Sequence, residues 1–436
     1  MTATQLPNEL DAVRTDEERS PEDRGPIIAL FAANAVSQIG NMMTAVAVPW
    51  FVLETTGSAA QTGLAGAAVA GGAVVSAILG GPLVDRFGFR RASVTGDLLA
   101  GAAILIIPLL HLASLLDFWH LILLVFAMSS LNAQGDTAKF ALVPLLSVRG
   151  GMALERANAI DRGIARLAQV IGPVLAGFLI LVIGAANVLF FQVVTFVVSA
   201  TLIGRFVPGA AAPGAPAPTT ERRSYFTELL EGLTFVRRNR LILSMIVVAT
   251  VGNFLDVPLV SVVIPVYAKT VFGSPSALGA ILAALGGGAL VGTVLFGVLG
   301  PRLPRRVTFV TAWILAPLLV YGALVISPPL AVLVVVSAIA GMLAGPINPL
   351  LVTVIQENVP RELAGRVFGS LNALAQAGIP FGAAVVGLVV EGVGLIETIA
   401  GMGLIYIAVT VSMLFNPALR EMDPRVPVPS GSQEKV

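Results

Sequence analysis

The stretch Gly81-Pro82-Leu83-Val84-Asp85-Arg86-Phe87-Gly88-Phe89-Arg90-Arg91 decides how the rest of the chain is read. It is a short charged interruption between two apolar runs, Ala60–Val84 before it and Ser93–Ala113 after it. Each run supplies the roughly 20 apolar residues that cross bilayer hydrocarbon. Gly81 lets two helices approach closely, and Gly88 permits a tight turn because it tolerates positive φ. Asp85 can accept hydrogen bonds at a neighbouring helix N-terminus, where the helix dipole favours an anion. Arg90 and Arg91 stand where lipid headgroups are within reach. The segment reads as the turn of a membrane hairpin on the side where Lys and Arg collect.

The same alternation continues in both directions. Upstream lies Ile27–Leu53. Downstream lie Trp119–Leu146, Ala159–Ile183, Ala186–Phe206, Leu241–Ala268, Ala277–Gly300, Val307–Ile326, Leu330–Ile355, Gly365–Val390 and Leu395–Phe415. Of the 436 residues, 56% are hydrophobic and 12% charged, and the mean hydropathy is +0.91. One soluble core cannot hide that much apolar surface, because burial saturates with size. The expected fold is an all-α integral membrane protein of about twelve transmembrane helices in two six-helix pseudo-symmetric bundles. The expected organisation is a disordered cytosolic tail over 1–25, bundles over 26–206 and 241–416, a linker over 207–240 and a cytosolic tail over 417–436. The linker opens on an Ala/Pro/Gly-rich run. Phe226, Leu229, Leu230, Leu233 and Val236 then predict an amphipathic helix on the membrane face.

Charge fixes the orientation. With the N-terminus inside, Lys269 is the one Lys or Arg in an outer segment; the rest of the 26 fall in cytosolic segments or near cytosolic helix ends. This is the positive-inside pattern, and it places both termini in the cytosol with an even helix count. No signal-peptide pattern occurs over 1–25. An internal repeat supports duplicated halves: Gly81–Arg91 recurs weakly as Gly297–Arg306, 216 residues on. Leu167-Ala168-Gln169 before Pro173 recurs 207 residues on as Leu374-Ala375-Gln376 before Pro380. Transporters that alternate access are built from such repeats.

Several function classes are disfavoured. A net charge of +1 leaves no nucleic-acid footprint. The absence of Cys removes thiolate chemistry, and the two His, His111 and His120, are expected in one loop region without forming a metal site. No Walker-type loop occurs, so no nucleotide site and no cofactor is expected; a proton gradient would supply the energy. A membrane-embedded enzyme lacks a matching constellation.

The pattern Gly81-x-Leu83-x-Asp85-Arg86-x-Gly88-x-Arg90-Arg91 resembles the signature loop of the major facilitator superfamily. That resemblance implies a latch of the two halves on the cytosolic side through Asp85 and Arg86. The second copy has Pro301 in place of the acid, so the latch would be one-sided. Gly163, followed later by Gly172-Pro173 and Ala176-Gly177, resembles the family's antiporter motif with one Gly replaced by Ala176. Physically these small residues allow close packing in lipid, and Pro173 bends the helix at the interface of the halves. In the family this motif accompanies proton-coupled exporters. Ser37–Gly40, Pro49–Ser58, Glu231–Arg238, Pro304–Thr308 and Ile355–Val367 look like the drug:proton antiporter branch. That branch holds Tap-type multidrug and macrolide efflux pumps and siderophore exporters. The resemblance implies export of amphipathic drugs or of one endogenous metabolite such as a siderophore. Small-molecule cargo, protons and membrane lipids are then the expected partners, with no nucleic acid and no obligate protein partner.

A charge in a spanning helix costs about 2.5–3.5 kcal/mol, so each one needs a reason. Asp97, one turn into the third run, is expected to brace Arg90 or Arg91. Asp136 shares a helix face with Lys139. Asp161, near Arg162 and Arg166, is assigned to an inner gate. Asp256 has no basic residue near it in sequence and sits about 21 Å from the inner face. It is the first candidate for the coupling proton, ahead of Asp136 and Asp97. Asn34, Gln38 and Asn41 form one helical stripe that should face a central cavity, with Asn132, Asn253 and Asn348 as further lining candidates. Helices one, four, seven and ten are the expected walls. Trp50, Trp313 and Tyr321 are expected as interfacial anchors.

Overall fold

The computed structural model describes residues 23–209, 233–360 and 378–422, with 363, 367 and 376 singly, and omits the side chains of 78, 79, 81–83 and 85. The expected tails and most of the expected amphipathic helix lie outside these residues, although 233–238 are helical. The chain is all-α among the described residues. Its helices are α1 Gly25–Thr56, α2 Ala59–Phe87, α3 Phe89–Leu112, α4 Phe118–Arg149, α5 Leu154–Ile183 and α6 Ala185–Phe206. Then follow α7 Arg240–Phe272, α8 Pro275–Leu299, α9 Arg305–Ile326, α10 Leu330–Asn358, α11 Ile379–Val393 and α12 Leu395–Phe415. Eleven are long and apolar enough to cross a membrane, and α11 is a shorter apolar helix. The protein is therefore a multi-pass membrane protein. Large apolar side chains such as Leu181, Val294 and Leu404 are more than half exposed on its outside, a surface that suits lipid rather than water.

The first six helices pack together and so do the last six, and the halves meet where α2 lies on α11 and α5 on α8. Glycine makes the closest crossings possible. Gly288 and Gly292 of α8 face Gly341 and Gly345 of α10, where a Cβ on Gly345 would fall 2.5 Å from the α8 backbone. Without a hydrophobic force between helices in lipid, such backbone-to-backbone contact supplies the attraction.

The first half is tied by a buried charge cluster. Lys139 of α4, only 1% exposed, lies 2.8 Å from Asp97 of α3, 3.4 Å from Asp136, and donates to Ser37 of α1 at 3.1 Å. Ser199 of α6 donates to the other Asp97 oxygen at 2.6 Å. Four helices thus share one ion pair, and each Asp97 oxygen finds a donor, as a low-dielectric interior demands. This corrects the expectation for Asp97: its partner is Lys139, about three helical turns before the end of α4, and not Arg90 or Arg91. Arg90 turns inward instead and donates to the Gly204 carbonyl at the end of α6.

Candidate transport site

The second half holds a cavity of about 590 Å³, walled by α7, α8, α9, α10 and α12. Its geometry begins with a proline. Pro258 cannot donate to the Phe254 carbonyl four residues back, so α7 loses one rung there. The chain rewinds into a wider π-helical turn over Leu259–Val263. The Phe254 carbonyl lies against Gly382 of α11, where a Cβ would fall 2.7 Å away. Such π-turns concentrate at functional sites. Asp256, two residues before the proline, projects to the cavity from this irregular stretch.

Three aromatic rings surround the acid. The Tyr406 hydroxyl of α12 donates to Asp256 Oδ2 at 3.0 Å. Trp313 and Tyr321 of α9 lie 6.1 and 5.9 Å from the Tyr406 ring, centroid to centroid. Tyr321 donates to the Leu255 carbonyl at 3.4 Å. Gly252, one turn before Asp256, makes the room: a Cβ there would fall 2.5 Å from the Trp313 ring. The buried Trp313 Nε1 has no hydrogen-bond partner among the described residues, although indole N–H groups normally find one. Ile246, Leu285, Val320 and Leu351 complete a largely apolar wall, and Asn253 and Asn348 are its remaining polar groups. No Lys or Arg pairs with Asp256 among the described residues. The arrangement offers one carboxylate, several π faces and few competing hydrogen-bonding groups.

The other expected lining residues sit elsewhere. Asn34 is buried and donates to Asp161 at 2.8 Å. Asn41 reaches Asn132 at 3.5 Å, Gln192 donates to Asn41 at 2.9 Å, and Asn132 donates to Asp136 at 3.3 Å. These amides satisfy one another within the first half instead of lining the cavity, and Gln38 is half-buried on the same helix. This cavity is thus walled by helices seven to ten and twelve, whereas the expected cavity between the halves has helices one, four, seven and ten as its walls. Asp161 takes Asn34 as partner, while Arg166 donates to Gln169 and Arg162 stacks over the Phe140 ring. Trp313 and Tyr321 are cavity residues, and Trp50 is buried with Nε1 on Glu54 at 3.0 Å; none of the three is an interfacial anchor. His111 and His120 lie in two helices: His111 packs edge-on against Phe51 at 5.1 Å, and His120 caps α4 with Asp117.

Comparison with known proteins agrees with this architecture. The sequence profile of the Major Facilitator Superfamily matches residues 30–383 and 246–435. The multidrug efflux pump Tap of Mycobacterium tuberculosis is 31% identical over 404 residues, covering 92% of this chain and 96% of the relative. The chain belongs to the Major Facilitator Superfamily. Macrolide efflux protein A of Streptococcus pyogenes is 22% identical and covers 90% of this chain and 96% of itself. Among solved structures, the nucleoside transporter NupG (D323A mutant) superposes with a TM-score of 0.71 at 13% identity, covering 91% of this chain and 99% of that one. A bacterial homolog of the human lysosomal transporter Spinster gives 0.64 at 17% identity, covering 92% and 96%. These two likenesses concern the fold.

Within this superfamily frame, the signature loop occupies the end of α2 and the start of α3. Gly88 has φ of +79°, the positive value its turn requires. Gly81 lies in α2, and Arg86 and Arg91 are exposed, while the Asp85 side chain, and with it the expected latch, lies outside the described residues. The antiporter-type residues Gly172 and Gly177 lie at helix interfaces. Gly172 fits against Ile39 and Met42 of α1, and Gly177 against Pro275 and Gly279 of α8, where a Cβ would fall 2.7 Å from the Pro275 carbonyl. Pro173 is buried inside α5 between them, and Gly163 has open space beside it. Gly177 thus belongs to the seam between the halves.

Sequence reading missed Tyr406 and Gly252. The available signal for Tyr406 was its depth: it lies in the middle of α12, far from the interfacial zone that tyrosine favours.

Proposed function

We propose that this chain is a proton-coupled antiporter that exports amphipathic small molecules across the cytoplasmic membrane by alternating access of its two halves. The observation that carries the reading is Asp256, an acid without a cationic partner among the described residues, set in an apolar, aromatic cavity deep in the second half. Cargo with an apolar body fits the walls, and a positive charge or hydrogen-bond donor on it would face the carboxylate. A proton and such a cargo compete for the same oxygen atoms, which couples their opposite movements. The Tyr406 hydroxyl suits both states, since it can donate to the carboxylate or accept from the protonated acid. The likeness to Tap and to macrolide efflux protein A supports export of drugs. The Lys and Arg distribution supports an orientation with both termini cytosolic.

The test uses cells lacking their own major efflux pumps and loaded with ethidium, a permanently charged amphipathic probe. Cells expressing the chain are expected to expel the dye several-fold faster than controls, and a protonophore is expected to abolish the difference. Expulsion that persists without a proton gradient but stops on ATP depletion would contradict the reading.

A further inference from the structure

The α1–α2 connection is gripped from both sides by the second half. Its ends carry opposite partial charges, the negative end of the α1 dipole and the positive end of the α2 dipole; the Gly57 N–H already caps the Leu53 carbonyl of α1 at 3.1 Å. Lys269, at the end of α7, donates to the Leu53 carbonyl of α1, close enough to Glu54 for that charge to act on it. Glu391, at the end of α11, accepts from the Ala60 N–H of α2 at 2.8 Å and from the Ser58 hydroxyl. Ser58 is itself the α2 cap and accepts from the Gln61 N–H at 3.0 Å. A cation thus sits on a helix C-terminus and an anion on a helix N-terminus, each reaching across from the other half. None of these hydrogen bonds is a salt bridge: all are made to backbone or cap groups.

The backbone beneath keeps these reaches short. Next to Glu391, Gly387 of α11 faces Gly63 of α2, where a Cβ on either would fall 2.9 Å from the other's Cα. Lys269 lies within a π-helical turn of its own, Ala268–Phe272, which ends at Gly273 with φ of +61°. All these contacts lie at the end of the molecule opposite to residues 23 and 422. The outer seam is thus closed by two charged side chains on helix ends above a side-chain-free crossing.

We infer that Glu391 and Lys269 are the positioning residues that hold the outer side shut, and that both contacts must part before cargo leaves. The inference rests on the alternating-access reading and on the orientation proposed above. Glu391 is exposed, so its bond can break without moving a buried charge, as a gate that opens in every cycle requires. Its partners are backbone and cap groups that stay in place when it leaves.

The chain contains no Cys, so spin labels can be placed cleanly. Labels at L115C in the first half and V271C in the second, both exposed, report the outer opening by electron–electron distance measurement in nanodiscs. In the otherwise native chain a short distance should dominate. E391A and K269M, singly and together, are expected to raise the ratio of long to short distances by about three- to tenfold each, from the loss of the two charge-assisted hydrogen bonds of Glu391 or the one of Lys269. E391Q, which keeps an acceptor but no charge, is expected to fall between. Thermal stability in detergent should stay near that of the native chain, which separates a gate from a merely structural contact. An unchanged distance distribution in the E391A/K269M double variant, with the native chain sampling both distances, would overturn the inference. A native chain with a single distance under all conditions, with or without ethidium and a pH gradient, would instead overturn alternating access itself.

Discussion

Lys139→Met is expected to destabilise the protein by about 3–5 kcal/mol, the range for leaving one charge of a buried pair alone. The change keeps the length and volume of the side chain. It removes the ammonium that donates to the fully buried Asp97 at 2.8 Å, and leaves Asp97 the Ser199 hydroxyl as donor. Asp97→Leu is expected to cost less, because Lys139 would still reach Asp136 at 3.4 Å and Ser37 at 3.1 Å. The double variant Asp97→Leu/Lys139→Met, which removes both charges, is expected to recover most of the loss. Thermal unfolding of the detergent-solubilised protein measures all three. Additive losses in the double variant would show that the two residues do not act as a pair. The result also bears on transport: if Asp97 is consumed by a structural ion pair, it is free for no proton, and the three acids expected to compete for that role reduce to two.

The second large effect concerns Asp256. Asp256→Asn keeps the size of the side chain and an oxygen that can accept from Tyr406, but it cannot carry a proton. Uphill, proton-driven export is expected to fall to background, because a ligand that no longer binds cannot bias the two access states. Downhill exchange of cargo between the two sides is expected to survive within about threefold, since the walls are unchanged. Tyr406→Phe removes only the hydroxyl and is expected to weaken coupling without abolishing it. Radiolabelled ethidium flux, measured with and without a pH gradient, reads both arms. An Asp256→Asn protein that still concentrates the probe against its gradient would return the role to Asp136, which is half-buried beside Lys139.

Much of the architecture was legible before any coordinates. Apolar run length is a direct consequence of bilayer thickness, so the helices over Phe89–Leu112 or Arg305–Ile326 fall within a few residues of their apolar runs. Asp256 was legible for a similar reason: a charge without a sequence neighbour inside lipid has to be explained. The partners of the other charges were not legible. Asp97 could as well have met Arg90, one helical stripe away, as Lys139 of the next helix; only the crossing of α3 on α4, made close by Gly96 and Gly135, decides between them. The asparagine stripe of α1 was expected to face a central cavity, and Asn34 and Asn41 bond Asp161, Asn132 and Gln192. Sequence periodicity could not say whether it would meet a cavity or other amides. Trp313 and Tyr321 were misassigned because aromatic residues are common at both interfaces, and the depth of a residue in α9 depends on where that helix begins. The grips of Lys269 and Glu391 on helix ends are made to backbone and cap groups, which a sequence does not pair.

The central claim is tested most directly by the purified chain in liposomes whose lumen is made acidic relative to the medium. Antiport predicts that protons leaving the lumen drive radiolabelled ethidium inward above its equilibrium level, and that nigericin erases the accumulation. Accumulation that instead requires an acidic medium, so that probe and protons move together, would contradict the account.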